Sequence, residues 1–178
     1  IKIAQLFSTR SDLFPAEYVE ELALLQDKVP AFPADKAIAT IEKELGAPIS
    51  QLFTEFNPVP IAAASLGQVH LARLPTGEQV VVKVQRPGLK RLFDIDLENL
   101  RVVAEQLDKG EEARRQGTDF TGIYAECRDI LYQEIDYINE GRNADRFRRN
   151  FRDEAWVRVP VIHWHRTSGS VLTLEYLP

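Results

Sequence analysis

Residues 60–85 decide the fold: Pro60-Ile61-Ala62-Ala63-Ala64-Ser65-Leu66-Gly67-Gln68-Val69-His70-Leu71-Ala72-Arg73-Leu74-Pro75-Thr76-Gly77-Glu78-Gln79-Val80-Val81-Val82-Lys83-Val84-Gln85. Ile61 leads into a loop of small residues. Val69 to Leu74 alternates apolar and polar side chains as a strand does, Pro75 to Glu78 is turn chemistry, and Val80 to Val84 is a β-branched run, so the stretch predicts a hairpin. Lys83 is the anomaly. An ammonium inside a Val-Val-Val-Lys-Val strand carries a desolvation cost unless something anionic meets it, and this predicts a carboxylate brought to it from elsewhere in the chain.

Downstream, Arg86-Pro87-Gly88 breaks the strand, and Leu89, Leu92, Phe93, Leu97, Leu100, Val103, Ala104 and Leu107 recur at helical spacing. Asp108 to Thr118 is polar and aperiodic and predicts a mobile loop. Thr118 or Asp119 is placed to cap a further helix through Ile123, Ile130, Leu131, Ile138 and Phe147, long enough to break near Gln133. Short strands are expected at Val157–Val159 and Val161–Trp164, on either side of Pro160, with a last one at Val171–Leu174. Upstream, Tyr18, Val19, Leu22 and Leu25 follow Pro15 at helical spacing up to Val29-Pro30. Ile38, Ile41 and Leu45 mark a second helix over Ala34–Leu45, ended by Gly46-Ala47-Pro48, and Leu52, Phe53 and Phe56 are expected to cover its joint to the sheet. The sum is an α+β fold of five strands and one dominant helix.

A chain of 178 residues, 44% hydrophobic, is long enough for one core with an appendage. A net charge of −5 and the lack of a lysine-arginine block exclude a nucleic-acid surface. The densest basic cluster, Arg146, Arg148, Arg149 and Arg152, is interrupted by Asp153 and reads as a solvated helix face. The lone Cys127 excludes an internal disulfide and reads as a small apolar helix residue. His70, His163 and His165 lack acidic or cysteine partners, so no zinc site is expected, and Ser65 has no triad partner at a recognisable spacing. No run approaches the roughly 18 apolar residues of a membrane span, and no signal peptide opens the chain. Starting at Ile1 and stopping directly after an apolar strand, it is expected to be a segment of a longer polypeptide, with any targeting or membrane segments outside it.

On the long helix Asp136 and Glu140 are four apart and share a face, whereas Glu134 points elsewhere unless the helix breaks between them. Taken alone these acids read as a solvated face paired with Arg142 or Arg146. The order Gly67-Gln68-Val69, hairpin, Val81-Val82-Lys83 resembles the protein-kinase signature, with alanines at the first two glycine positions. Together with Gln85-Arg86-Pro87-Gly88, Glu134-Ile135-Asp136-Tyr137 and Glu140-Gly141-Arg142-Asn143-Ala144, the pattern closely resembles the UbiB family of atypical kinases, also called the AarF or ADCK family, from Lys2 to Pro178.

The resemblance implies a protein-kinase-like small lobe, a five-stranded antiparallel sheet with a long αC-type helix, over residues 57–178. That lobe carries a helical insertion at 89–118, ends at the hinge, and follows a helical N-terminal extension at 1–56. In it Lys83 would hold the α/β-phosphates of ATP or ADP with Mg2+, and Glu140 would hold Lys83. Ala62, Ala63, Ala64, Ser65, Leu66 and Gly67, with Val69, would cover the phosphates through backbone N–H groups, and Glu175 and Leu177 would present hinge backbone to adenine. The alanine methyls limit approach and φ, implying an altered nucleotide mode and weaker ATP retention. Lys2 and Gln5 match the Lys-x-Gly-Gln motif of an extension that folds across the site, with Ala4 where the family has glycine. Glu134 and Asp136 supply the Glu-x-Asp motif that it meets, either one being able to face Lys2.

No His-Arg-Asp-like or Asp-Phe-Gly-like motif occurs, so the base and the metal ligands are expected beyond Pro178, none within the segment, and the segment alone is expected to be inactive. The family further implies a prenyl-lipid or quinone precursor and a membrane surface as partners, and a plastid or cyanobacterial membrane as the location. One rival is a pseudokinase-like scaffold that binds nucleotide or lipid without phosphoryl transfer. Another is an interaction domain in which Lys83 is a plain surface lysine, a reading that an ammonium within hydrogen-bond reach of Glu140 dismisses.

Overall fold

Alternate valines at 80, 82 and 84 build the centre of the sheet. In the computed structural model the described residues are Glu17, 30–111, Arg115 and 117–178. The helix expected between Pro15 and Val29, the Lys2 and Gln5 motif, and positions 112–114 and 116 of the expected loop lie outside them. Along the chain run α1 (Ala34–Leu45), α2 (Ile49–Leu52), β1 (Glu55–Phe56), β2 (Ala62–Ala63), β3 (Gly67–Arg73), β4 (Gln79–Gln85), α3 (Leu89–Asp108), α4 (Phe120–Glu134), α5 (Tyr137–Asn150), a 3-10 turn (Trp164–Arg166) and β5 (Val171–Glu175).

The strands form one five-stranded antiparallel sheet in the order β1-β3-β4-β5, with β2 paired separately to β3. The β3–β4 hairpin runs in register from Gly67↔Gln85 to Arg73↔Gln79. Its turn places Gly77 at φ 92, where a Cβ would be strained. Strand alternation then sorts the side chains. Gln68, His70 and Ala72 lie opposite Val84, Val82 and Val80 on one face, and Val69 and Leu71 lie opposite Lys83 and Val81 on the other. The first face packs with Ala37 and Ile41 of α1, Leu52, Phe53 and Val171 into one core. Each such aliphatic side chain, fully buried, contributes about 1.5–3 kcal/mol. The helix α1 ends as its sequence predicts, with Gly46 at φ 70 donating its N–H to the Glu42 carbonyl.

Residues Lys28–Pro87 and Glu134–Pro178 form one compact unit, and Gly88–Gln133 belongs to another. In the latter, α3 buries Leu89, Phe93, Leu97 and Ala104, and α4 buries Cys127 and Leu131. Asp119 accepts from the Gly122 N–H as the sequence anticipates, and Asp108 accepts from the N–H groups of Phe120 and Thr121.

Two expectations are corrected. Val157–Val159 is not a strand, and Val161–Trp164 reduces to a single bridge, Ile162↔Leu174. Pro160 supplies no N–H, and from His163 the chain turns into the 3-10 segment, where His165 and Trp164 no longer alternate. The fourth and fifth strands are instead the two-residue β1 and β2. The long helix does break, but two residues past Gln133. Gln85 Nε2 donates to the Ile135 carbonyl and, at 3.1 Å, to that of Gly169, while the Asp136 carboxylate caps α5 by accepting from Asn139 N–H at 3.0 Å.

Candidate functional site

Lys83 stands on the face of β4 opposite its core valines, and α5 brings Glu140 to it. The Lys83 Nζ lies 2.8 and 2.7 Å from the two carboxylate oxygens of Glu140. The reading of Lys83 as an unpartnered surface lysine is thereby dismissed. The pair is not buried as the valine run suggests: the side chains are 34% and 44% exposed. An ion pair so open to water contributes about 0.2–1 kcal/mol, too little to hold the fold, so what it supplies is an ammonium fixed in place and still reachable. Below it, Tyr137 places its ring centroid 4.7 Å from Nζ, a cation–π contact. Burial, and next the charge of Glu140, push the Tyr137 phenol well above its ordinary pKa, so it stays neutral.

The position of Glu140 follows from Gly141. A Cβ there would lie 2.8 Å from Cη2 of Trp164 and 3.4 Å from Ile162 and Leu172, so only glycine lets α5 sit this close. Trp164 Nε1 also donates to Asp145 at 2.9 Å. Of the basic cluster, Arg146 donates to Asn143, Arg148 to Asp145 and Arg152 to Asp153, all within three residues, as on a solvated face.

The alanine loop is more committed than its composition suggests. Ala62 and Ala63 pair with Val69 and Gln68, the Ala64 N–H donates to the Gly67 carbonyl at 2.8 Å, and the Arg86 N–H donates to that of Leu66 at 2.9 Å. Of the N–H groups expected to cover phosphates, those of Ser65 and Leu66 at the tip have no partner among the described residues. Gly67 is there for packing, because a Cβ would collide with the Val84 carbonyl and lie 3.0 Å from the Tyr137 hydroxyl. Val69 pairs with Lys83 across the strands, on the same face.

At the hinge, the Glu175 carboxylate accepts from Arg158 at 2.7 Å and from the Val161 N–H, and these bonds hold its pKa below the usual range. The N–H groups of Glu175 and Tyr176 donate to Val161 and Gln79, leaving that of Leu177 without a partner among the described residues. An open cleft of about 360 Å³, lined by Glu78, Gln79, Val161, His163, Glu175 and Tyr176, includes neither Lys83 nor Glu140. Glu134 and Asp136 flank the helix break, and their expected partners Lys2 and Gln5 are outside the described residues. Among the described residues no three His, Cys, Asp or Glu side chains gather as metal ligands.

The core face carries a second polar group that the sequence did not single out as such. Gln68 Oε1 accepts from the Phe32 N–H at 3.0 Å, its amide meets His70 Nε2 at 2.9 Å, and His70 Nδ1 lies 2.9 Å from the Asn57 carbonyl. A carbonyl only accepts, so Nδ1 carries the proton and Nε2 accepts from Gln68. Burial lowers the His70 pKa and keeps the ring neutral. Arg86 was also missed. Its Nη2 donates to the Pro30 carbonyl at 2.6 Å and to that of Ala64 at 3.3 Å, with the guanidinium 5.4 Å from the Phe32 ring. Nothing in the spacing of an Arg-Pro-Gly corner announces those partners.

The profile of the ABC1 atypical kinase-like domain matches residues 24–178. The chain belongs to the ABC1 atypical kinase-like family. Among relatives of this ABC1 chain, Protein ACTIVITY OF BC1 COMPLEX KINASE 7, chloroplastic, of Arabidopsis thaliana is 64% identical over 179 residues, covering all of this chain and 25% of the relative. The probable protein kinase UbiB of Pseudomonas putida is 44% identical over 177 residues, covering 98% of this chain and 32% of the relative. The solved complex of Rv3197 with erythromycin from Mycobacterium tuberculosis superposes with a TM-score of 0.74 at 28% identity, covering 99% of this chain and 43% of that one. The ABC1 chain thus spans about a quarter to a third of the length of these two curated relatives. Among the described residues no helix is long and apolar enough to cross a membrane.

Proposed function

We propose that this chain is the nucleotide-binding part of an atypical UbiB-like kinase or ATPase. The observation that carries the reading is the Lys83–Glu140 pair, doubly bonded at 2.7 and 2.8 Å yet open to solvent. Phosphoryl transfer asks little covalent chemistry of the protein and depends on positioning and charge neutralisation. Lys83 neutralises phosphate oxygens, Glu140 and the Tyr137 ring fix where its ammonium stands, the N–H groups of Ser65 and Leu66 cover the phosphates, and the Leu177 N–H faces the base. Mg2+ bound with ATP supplies further neutralisation of the phosphate charge. The remaining roles, in prenyl-lipid or isoprenoid-quinone metabolism at a membrane of plastid or cyanobacterial type, rest on the family and on the relative named chloroplastic.

Calorimetry with MgATP and with ADP tests the reading. Wild type should bind, and Lys83→Met should weaken binding about 100-fold, the scale of a charge-assisted phosphate contact, while the melting temperature barely moves. Equal affinity in the two proteins sinks the proposal. A pseudokinase scaffold is the second reading, favoured by the closed hydrogen bonding of the alanine loop, and it predicts binding without turnover.

A further inference from the structure

Arg86 has no place in the phosphate chemistry above, yet its guanidinium and its backbone N–H both bond the loop. Its guanidinium joins two segments that are 34 residues apart in the chain, accepting neither proton nor charge but donating to the carbonyls of Pro30 and Ala64 while resting over the Phe32 ring. Nε adds a longer bond to the Ala64 carbonyl at 3.4 Å, and the backbone N–H of the same residue holds the Leu66 carbonyl at 2.9 Å. One residue therefore grips the loop on both sides of Ser65. Pro87 follows directly and biases Arg86 to extended backbone, which presets the direction of its side chain. A planar fork with five donors suits this bridging, whereas an amide or a hydroxyl does not reach both carbonyls. Segment 30–32 is itself seated on the sheet through the Phe32 N–H and Gln68.

We propose that Arg86 is a positioning residue, a latch through which the seating of residues 30–32 sets the conformation of the alanine loop and thereby the affinity for nucleotide phosphates. The proposal rests on the nucleotide reading of the Lys83 site. Released from Ala64, the loop tip samples more positions, and the phosphates lose the pre-organisation of the unpartnered Ser65 and Leu66 N–H groups.

The test uses the full-length protein, with hydrogen exchange and calorimetry read together on wild type, Arg86→Gln, Arg86→Lys, Phe32→Leu and the Arg86→Gln/Phe32→Leu double variant. Arg86→Gln should speed amide exchange over residues 64–66 about 10-fold while leaving Val80 to Val84 protected. It should weaken ADP binding about 5-fold, with Arg86→Lys between it and wild type. Phe32→Leu, which keeps the apolar packing and removes the aromatic face, should weaken ADP binding about 2-fold alone and add almost nothing in the Arg86→Gln background, because both break one device. Unchanged exchange at 64–66 overturns the latch, as does a fast loop with unaltered affinity or a simple sum of the two effects. If Arg86→Gln unprotects Val80 to Val84 as well, Arg86→Lys, which keeps charge and stem, decides by the same criteria. Wild type that binds no nucleotide, with exchange responding as stated, overturns the phosphate reading and the affinity half of the proposal together. Binding with an indifferent loop overturns the latch alone.

Discussion

The two faces of the β3–β4 hairpin each carry a polar pair, and Gln68–His70 on one and Lys83–Glu140 on the other are built in opposite ways. Gln68 and His70 are 1% and 0% exposed and bonded on every side, through Phe32, each other and Asn57. Lys83 and Glu140 lie on the other face, a third or more exposed, with strong charges and short bonds. A buried polar pair with every bond made stabilises the fold only because losing one partner is costly. An exposed ion pair stabilises little and keeps its charge in reach of a ligand. Exposure, more than polarity, therefore separates the face that holds the molecule together from the face that can do chemistry.

The largest blow to that distinction would come from the buried side. Gln68→Leu leaves the Phe32 N–H and His70 Nε2 unpaired and should cost about 1–3 kcal/mol in denaturant unfolding, with nucleotide affinity lowered far less than by Lys83→Met. If Lys83→Met proves the more destabilising to the fold, the two faces have been read the wrong way round. On the open face, Ala63→Gly or Ala64→Gly frees the loop from the limits of its methyls and should tighten nucleotide binding about 3-fold by calorimetry. Unchanged affinity in both would show that the alanine methyls do not limit binding.

A graded effect should appear with pH. The folded-state pKa of His70 is lowered by burial from 6.5, so between those two values the unfolded chain binds more protons than the folded one. Its contribution is complete above about pH 6.5 and declines as pH falls below that value. Melting temperatures followed from pH 7.5 to 5.5 should drop in wild type and drop less in His70→Gln. The smallest effect belongs to Tyr137→Phe. Its hydroxyl is buried with no hydrogen-bond partner among the described residues, so its removal should cost no stability and raise it by up to about 1 kcal/mol while the ring stays under Lys83. A loss of several kcal/mol would show that the hydroxyl has a partner in solution.

The hairpin was legible because two-residue alternation, a Gly77 turn and a valine run all agree, and α1 because its stripe and its Gly46 terminator agree. What distance in sequence hides was not legible. The helix break expected near Gln133 falls at Ile135, where Gln85, fifty residues earlier, donates to the Ile135 carbonyl and Asp136 caps the next helix. The strands β1 and β2 are two residues each, too short for alternation, and exist only because β3 offers them an edge. Val157–Val159 has β-branched composition but pairs with no strand. At the site, residue types and the family pattern pair Lys83 with Glu140, yet a valine run alone overstates how deeply Lys83 is buried. Arg86 and Tyr137 act through the positions of other groups, which spacing does not encode.

Gly141 closes the account of how this helix is used. Where protein kinases gain control by positioning the helix that bears the glutamate, here its near side rests on the Trp164 indole with no room for even a methyl group, and Asp145 ties the same indole from one turn on. Rolling α5 toward the sheet is sterically closed, and rolling it away strips Trp164 of its hydrogen bond. The glutamate arm is therefore a fixed abutment and not a lever.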